Sequence, residues 1–321
     1  MKSFITKDIH IVLPKAAMTA IFDDCDGFDH DETGGRVIGR FKENNGQLTL
    51  QVTGVIEAGP QAERSRVSFF QDGEYQEKIF RKIERQHPEI EHLGNWHTHH
   101  VNGLQTLSSG DLTTYTRIVN HPSQNTPFFY AMLVVAKHTT NDPLKRYTLK
   151  HYIFRPNDDR VYEVPHDAVE IVNTPLVWPS KSETPFKRQP ATVVESGPTK
   201  KDPAVQYGAQ PERVNDRDIL AEFYQGVRPY SSPDLGVYWR GAIELVDGSN
   251  LQVVVVEDSA KKKPTYSIVL RQAPEALSIV AEQLGEMEFG SARAALIKAE
   301  RNSNRALYEQ RLHSRDTKKS N

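Results

Sequence analysis

The chain has 321 residues, enough for two domains with cores of their own. Its formal net charge of −2 argues against general affinity for nucleic acid or a membrane surface, and its single cysteine, Cys25, excludes an internal disulfide framework and suits a reducing compartment. The opening residues lack a long apolar run and no segment has the length of a membrane span, so a cytoplasmic protein is expected.

Residues 9–13 read as a short strand, and Pro14 suits the first turn of a helix running to about residue 22. The acidic run from Asp23 to Glu32 does not have EF-hand spacing and reads mostly as a solvated loop that delivers Glu32. Within it, Cys25 reads as a small buried residue. Residues 35–42 and 48–56 form a hairpin pattern around Glu43-Asn44-Asn45-Gly46. In residues 74–86, Ile79, Phe80 and Ile83 recur at helical spacing among charged neighbours, which predicts a helix covering one sheet face. A strand over 91–96 follows, then a helical stretch over 112–119. The apolar run 128–136 and the alternating 146–154 complete a mixed sheet packed by helices, an α/β domain over residues 1–165.

Beyond it the composition changes. Seven prolines from Pro175 to Pro211 punctuate a Ser-, Thr-, Lys- and Glu-rich stretch that reads as a linker over 166–213, with the apolar island 172–178, ending in Trp178, expected to dock locally. Residues 214–321 predict a smaller C-terminal α+β domain: a helix over 216–224, strands over 236–246, 250–257 and 265–271, a helix opened by Pro274, and a last helix capped by Ser291 that runs into a basic tail. This order resembles the RWD or ubiquitin-conjugating (E2-like) α-β meander. It holds no cysteine and so could carry no thioester; it reads as a recognition or assembly module. The lysines at 261–263 and the arginines from Arg293 to Arg315 read as solvated faces.

The chemistry concentrates between Gly94 and Asp111. His97 and His99 are two apart at a predicted strand end, a spacing that turns both imidazoles to one side. After eight intervening residues comes Ser108-Ser109-Gly110-Asp111, opening the helical stretch. A loop of that length can bring Asp111 opposite the strand end as a third ligand, leaving a fourth position for water, as in a catalytic zinc site. Taken alone, Ser108 and Asp111 also read as a helix N-cap.

Glu32-Thr33-Gly34-Gly35 opening an apolar strand, then His-Thr-His and Ser-x-x-Asp, resembles the JAMM (MPN+) metalloproteases, and Gly59-Pro60-Gln61-Ala62-Glu63-Arg64-Ser65 is similar to a stretch of their prokaryotic members. The resemblance covers roughly the first half of the chain and implies an MPN-type sheet. It further implies that His97, His99 and Asp111 bind zinc, that Glu32 activates water, and that Ser108 helps stabilise the oxyanion. The implied reaction is hydrolysis of an isopeptide or peptide bond after the C-terminal glycine of a ubiquitin-like protein. The implied setting is a bacterial antiviral operon with activating and conjugating (E1- and E2-like) enzymes as partners. The chain departs from the family in having His100 where proline is usual and eight residues instead of seven before the serine, so His100 stays a competing ligand.

Rival His-x-His hydrolases fit less well. A metallo-β-lactamase would want Asp and His where Val101 and Asn102 stand, and an amidohydrolase barrel needs about 250 residues. Two alternatives stay open: an inactive MPN scaffold, against which stand all of the expected ligands, and a hydrolase that releases a small amino acid from a sulfur-carrier protein.

Overall fold

Side chains alternate between the faces of a strand, so a strand that is apolar at every position must be covered on both sides. The run Phe129–Val135 is such a strand, and it organises the first part of the molecule. The structure, a computed structural model, describes residues 3–6, 8–121, 124–178, 224–232, 236–260 and 264–319. The chain divides into two compact units, Met1–Ile83 with Ile90–Tyr207 and Glu84–Glu89 with Gly208–Asn321.

In the first unit the elements are β1 (Ser3–Ile5), β2 (Ile9–Pro14), α1 (Lys15–Gly27), β3 (Gly34–Asn44), β4 (Gln47–Glu57), β5 (Glu63–Ser65) and β6 (Ser68–Phe70). They continue with α2 (Gly73–Gln86), which belongs to this unit as far as Ile83, then β7 (Glu91–Thr98), α3 (Ser109–Val119), β8 (Phe129–Lys137), β9 (Tyr147–Phe154), β10 (Val161–Val164) and β11 (Val169–Val172). Nine strands form one mixed sheet in the order β1-β10-β9-β8-β7-β3-β4-β2-β11, with β5 and β6 in a separate hairpin. Helix α1 puts Ile21 and Phe22 into the same core cluster as Tyr130, Met132 and Val134, which line one face of β8. Helix α3 packs Tyr115 and Ile118 against Phe129, Leu133 and Val135 on the other. Helix α2 puts Phe80 and Ile83 on Ile38 and Ile56. The coarse expectation of a mixed α/β sheet flanked by helices therefore holds.

Several local readings change. Helix α1 runs to Gly27, so Asp23, Asp24 and Asp26 of the acidic run are helical; Cys25, fully buried, extends the apolar face of Ala17, Met18, Ile21 and Phe22 by one more turn. Asp26 is tied to Arg146 and accepts the Tyr147 hydroxyl at 2.7 Å. Between β3 and β4, Asn45 and Gly46 both take positive φ, as the expected tight turn requires. Residues 166–178, read as the start of the linker, carry β11, which pairs in parallel with β2. Val169, Ile171 and Val172 are β-branched and favour that pairing over the breaks that proline imposes further on. Val177 N–H donates to the Thr53 carbonyl at 2.8 Å and Trp178 bridges to Gly54, so the apolar island lies along β4.

The second unit is a four-stranded antiparallel meander of β12 (Val227–Ser232), β13 (Gly236–Glu244), β14 (Asn250–Asp258) and β15 (Thr265–Arg271), followed by α4 (Ser278–Gly285) and α5 (Ala292–Lys319). Val253, Val255 and Ile268 of the sheet share one core cluster with Leu284, Leu296 and Ala299 of the helices. Strand β12 escapes the sequence reading because Pro229 interrupts it, which an edge strand tolerates. Ser291 caps α5 as expected, its hydroxyl accepting the Ala294 N–H at 3.1 Å. The expected helix over 216–224 lies, all but its last residue, outside the described residues, as does the lysine run at 261–263. Among the described residues no helix is long and apolar enough to cross a membrane.

Candidate metal centre

Strands β3 and β7 are antiparallel, so the start of one lies beside the end of the other, and Gly34 pairs with His97. Glu32, two residues before Gly34, is thereby delivered to the histidines. Thr33 fixes the junction: its N–H donates to Thr98 Oγ1 at 2.9 Å while its carbonyl accepts Thr98 N–H at 3.0 Å. Gly34 and Gly35 are required by this close approach. A Cβ on Gly34 would overlap the Trp96 carbonyl and the Phe69 ring, and one on Gly35 would overlap the Ile56 carbonyl. Beneath them, Asp24 accepts the Thr33 hydroxyl at 2.7 Å, and burial pushes its carboxyl up from 3.8 to about 6.

His97 lies inside β7 between β3 and β8, and His99 follows just past the strand end, where its N–H donates to the Val134 carbonyl at 2.7 Å. Both side chains are buried. Their Nε2 atoms approach to 3.1 Å; Asp111 Oδ1 lies 3.2 Å from His97 Nε2, and Asp111 Oδ2 lies 3.3 Å from His99 Nε2. An ion held tetrahedrally about 2.0–2.1 Å from nitrogen and oxygen donors separates those donors by about 3.3 Å. The spacings are of that order, each histidine facing a different oxygen of Asp111, and the three side chains could hold a metal ion, each offering a ligand atom within 4.8 Å of the others.

Asp111 is placed by the start of α3. Ser108 is its N-cap: Asp111 N–H donates to Ser108 Oγ at 3.1 Å, while Ser108 N–H and Oγ–H both donate to Asp111 Oδ2 at 2.7 Å. The capping function and the placing of Asp111 are thus one arrangement, and the Ser108 hydroxyl is directed at the Asp111 carboxylate. Burial alone would raise the Asp111 carboxyl, but His97 and the hydrogen bonds from His97, His99 and Ser108 hold it well below the usual carboxylate range.

For Glu32 the balance is opposite. Burial raises its carboxyl above the ordinary value, His97 and His99 draw it down, Asp111 raises it again, and the Asn102 hydrogen bond opposes that. Asn102 Nδ2 donates to Glu32 Oε1 at 2.5 Å, its Oδ1 accepts Leu104 N–H at 2.9 Å, and its N–H donates to the His99 carbonyl at 3.1 Å. The turn after His99 therefore holds Glu32 by one oxygen. Glu32 N–H is anchored in turn on the Ser65 carbonyl of β5 at 2.8 Å.

His100 is not brought into the group. Its ring lies edge-on to Tyr147 at 5.2 Å, its Nε2 is 4.0 Å from Asp29, and burial lowers its basicity. Sequence reasoning missed Asn102, which sits in an irregular turn that no periodicity marks, and Tyr115, whose hydroxyl lies 3.0 Å from His97 Nδ1. Tyr115 had a signal: it stands one helical turn after Asp111 and so faces the same way.

No protein-family model matches the sequence, and no curated protein matches it. Among solved structures the chain is similar to the solution structure of protein DSY2949 from Desulfitobacterium hafniense, at 16% identity and a TM-score of 0.36, over 51% of this chain and 94% of that one. A likeness this slight decides neither fold nor function.

Proposed function

We propose that the first unit is a zinc-dependent hydrolase of the JAMM (MPN+) type that cleaves the amide after the C-terminal glycine of a ubiquitin-like protein. The observation that carries this reading is the convergence of His97, His99 and Asp111 within reach of one ion, with Glu32 delivered beside them by the antiparallel pairing of β3 and β7. His97, His99 and Asp111 would hold the zinc, which when bound supplies a Lewis acid and a water acidic enough to lose its proton near neutrality.

Glu32 acts as general base and then general acid. Burial raises its carboxyl, which favours accepting a proton, and the Asn102 hydrogen bond leaves one carboxylate oxygen for the transfer. It takes the proton of the attacking water and returns it to the leaving amine. Ser108 is the oxyanion donor in this reading; its hydroxyl, which donates to Asp111, must turn toward the substrate to serve. In the second unit, the meander followed by helices supports the reading of an RWD- or E2-like recognition or assembly module. The cytoplasm of a bacterium with E1- and E2-like partner enzymes is the proposed setting.

Zinc per chain, with cleavage of a ubiquitin-like fusion, tests the reading in wild type, His97→Ala and Glu32→Ala. We expect stoichiometric zinc in wild type and Glu32→Ala, its loss in His97→Ala, and cleavage by wild type alone. Protein that neither holds zinc nor cleaves would leave an interaction scaffold. Zinc-loaded protein that cleaves small acyl-amino acids but not the fusion would transfer the site to a different substrate class.

A further inference from the structure

His97 and His99 present the same atom, Nε2, to the shared position, so each turns its Nδ1 toward the protein. A neutral imidazole that gives its Nε2 lone pair to a cation carries its proton on Nδ1. A buried N–H of that kind needs an acceptor, and the acceptor fixes both the tautomer and the plane of the ring. His99 has the Thr106 carbonyl, 2.9 Å from its Nδ1. A carbonyl only accepts, so this contact holds His99 in the ligand tautomer. His97 has the phenol oxygen of Tyr115 at 3.0 Å.

We propose that Tyr115 is a positioning residue of the metal centre, its hydroxyl oxygen accepting the Nδ1 proton of His97 and holding that ring with Nε2 turned to the cation. The proposal rests on the metal site of the reading above. Three features support it. Tyr115 stands four residues after Asp111 in α3, so one helix face carries both a ligand and the orienting partner of another ligand. Its ring is buried, stacked on Phe129 with centroids 4.9 Å apart and edge-on to Phe154 at 5.5 Å, so packing sets where the oxygen lies. Finally, Phe129 and Phe154 pair across β8 and β9, which ties that oxygen to the strand neighbouring His97. A tyrosine whose only task was packing would need no oxygen at this place; phenylalanine fills the same volume.

Tyr115→Phe removes that oxygen and keeps the ring. Full-length wild type and Tyr115→Phe, stripped of metal, would be titrated with Co²⁺ against a competing chelator, with the visible ligand-field spectrum and the thermal midpoint of the stripped proteins recorded. We expect one Co²⁺ in each, an affinity about tenfold or more lower in Tyr115→Phe, a changed spectrum, and equal midpoints before loading. Equal affinities and spectra would overturn the proposal while leaving the hydrolase reading in place. A loss of affinity that merely follows a lowered midpoint of the stripped variant would overturn it in favour of packing. Wild type that takes up no Co²⁺ would overturn both. Should Tyr115→Phe not fold, nitrogen NMR of the zinc-loaded wild type decides: a protonated His97 Nδ1 is expected, and metal on Nδ1 overturns the proposal.

Discussion

Among the described residues, the two sheets differ in how many faces helices cover. In the first unit β8 is apolar on both sides, with α1 against one face and α3 against the other. In the second, α4 and α5 cover one face of the meander, and on the other, among the described residues, Tyr230 stacks on Tyr238 at 5.5 Å and Val269 is more than half exposed. The difference bears on chemistry. A strand packed on both faces cannot slip or tilt, so the peptide that follows it is held in place, and His97 and His99 stand at the end of β7 beside β8. Among the described residues, the group able to hold a metal lies in the doubly covered sheet.

Substitutions would sharpen this contrast. The largest effect is expected from Leu133→Ala in β8, whose side chain is fully buried under α3. It should destabilise the first unit by about 3 kcal/mol in denaturant unfolding. A loss below about 1 kcal/mol would mean that the α3 side of the sheet is loosely packed and that β8 is not held from both faces.

An intermediate effect is expected from pH, because Asp24 of the first unit has a raised carboxyl, whereas Asp111 of the same unit and Asp247 of the second are lowered. Asp24, under the Glu32 junction, has its carboxyl raised by burial to about 6. A carboxyl whose folded value exceeds the unfolded one contributes stability below the unfolded value, near 3.8, and loses it as pH rises through about 6. The change is on the order of 2 kcal/mol. Asp247 of the second unit is lowered by its hydrogen bond from Ser249, so its contribution is present above its unfolded value and lost as pH falls. Unfolding free energies measured from pH 4 to 6.5 should therefore show a downward component in wild type that Asp24→Asn removes. An unchanged slope in Asp24→Asn would show that Asp24 is not desolvated as described.

The smallest effect is expected from Val269→Ala on the open face of β15, within about 0.5 kcal/mol. A loss of more than about 1 kcal/mol would show that this face is covered in solution.

Much of the site was legible because its signals are local. The two-residue spacing of His97 and His99 at a strand end, and a serine three residues before Asp111 at a helix start, each follow from the geometry of one element. The sequence reading ends helix α1 too early because acidic residues look solvated, whereas Asp24 is partly buried and bonded to Thr33, and Asp26 is tied to Tyr147 and Arg146, partners distant in sequence. Strand β11 reads as linker in the sequence because its pairing with β2 joins residues some 160 positions apart. His100 looked equivalent to its neighbours by letter, but the turn after His99 points it at Tyr147 and Asp29.

By itself the sequence determined where most of the longer strands and helices lie, which of their faces are apolar, and which residue types are available to bind a cation. Those properties depend on side-chain periodicity and capping within a dozen residues. Only the tertiary structure decided that Glu32 stands beside the histidines, that Asn102 holds it, and that Tyr115 meets His97. Each of these depends on strand pairing, turn path or ring packing between segments that are separate along the chain, and no local pattern encodes their distance.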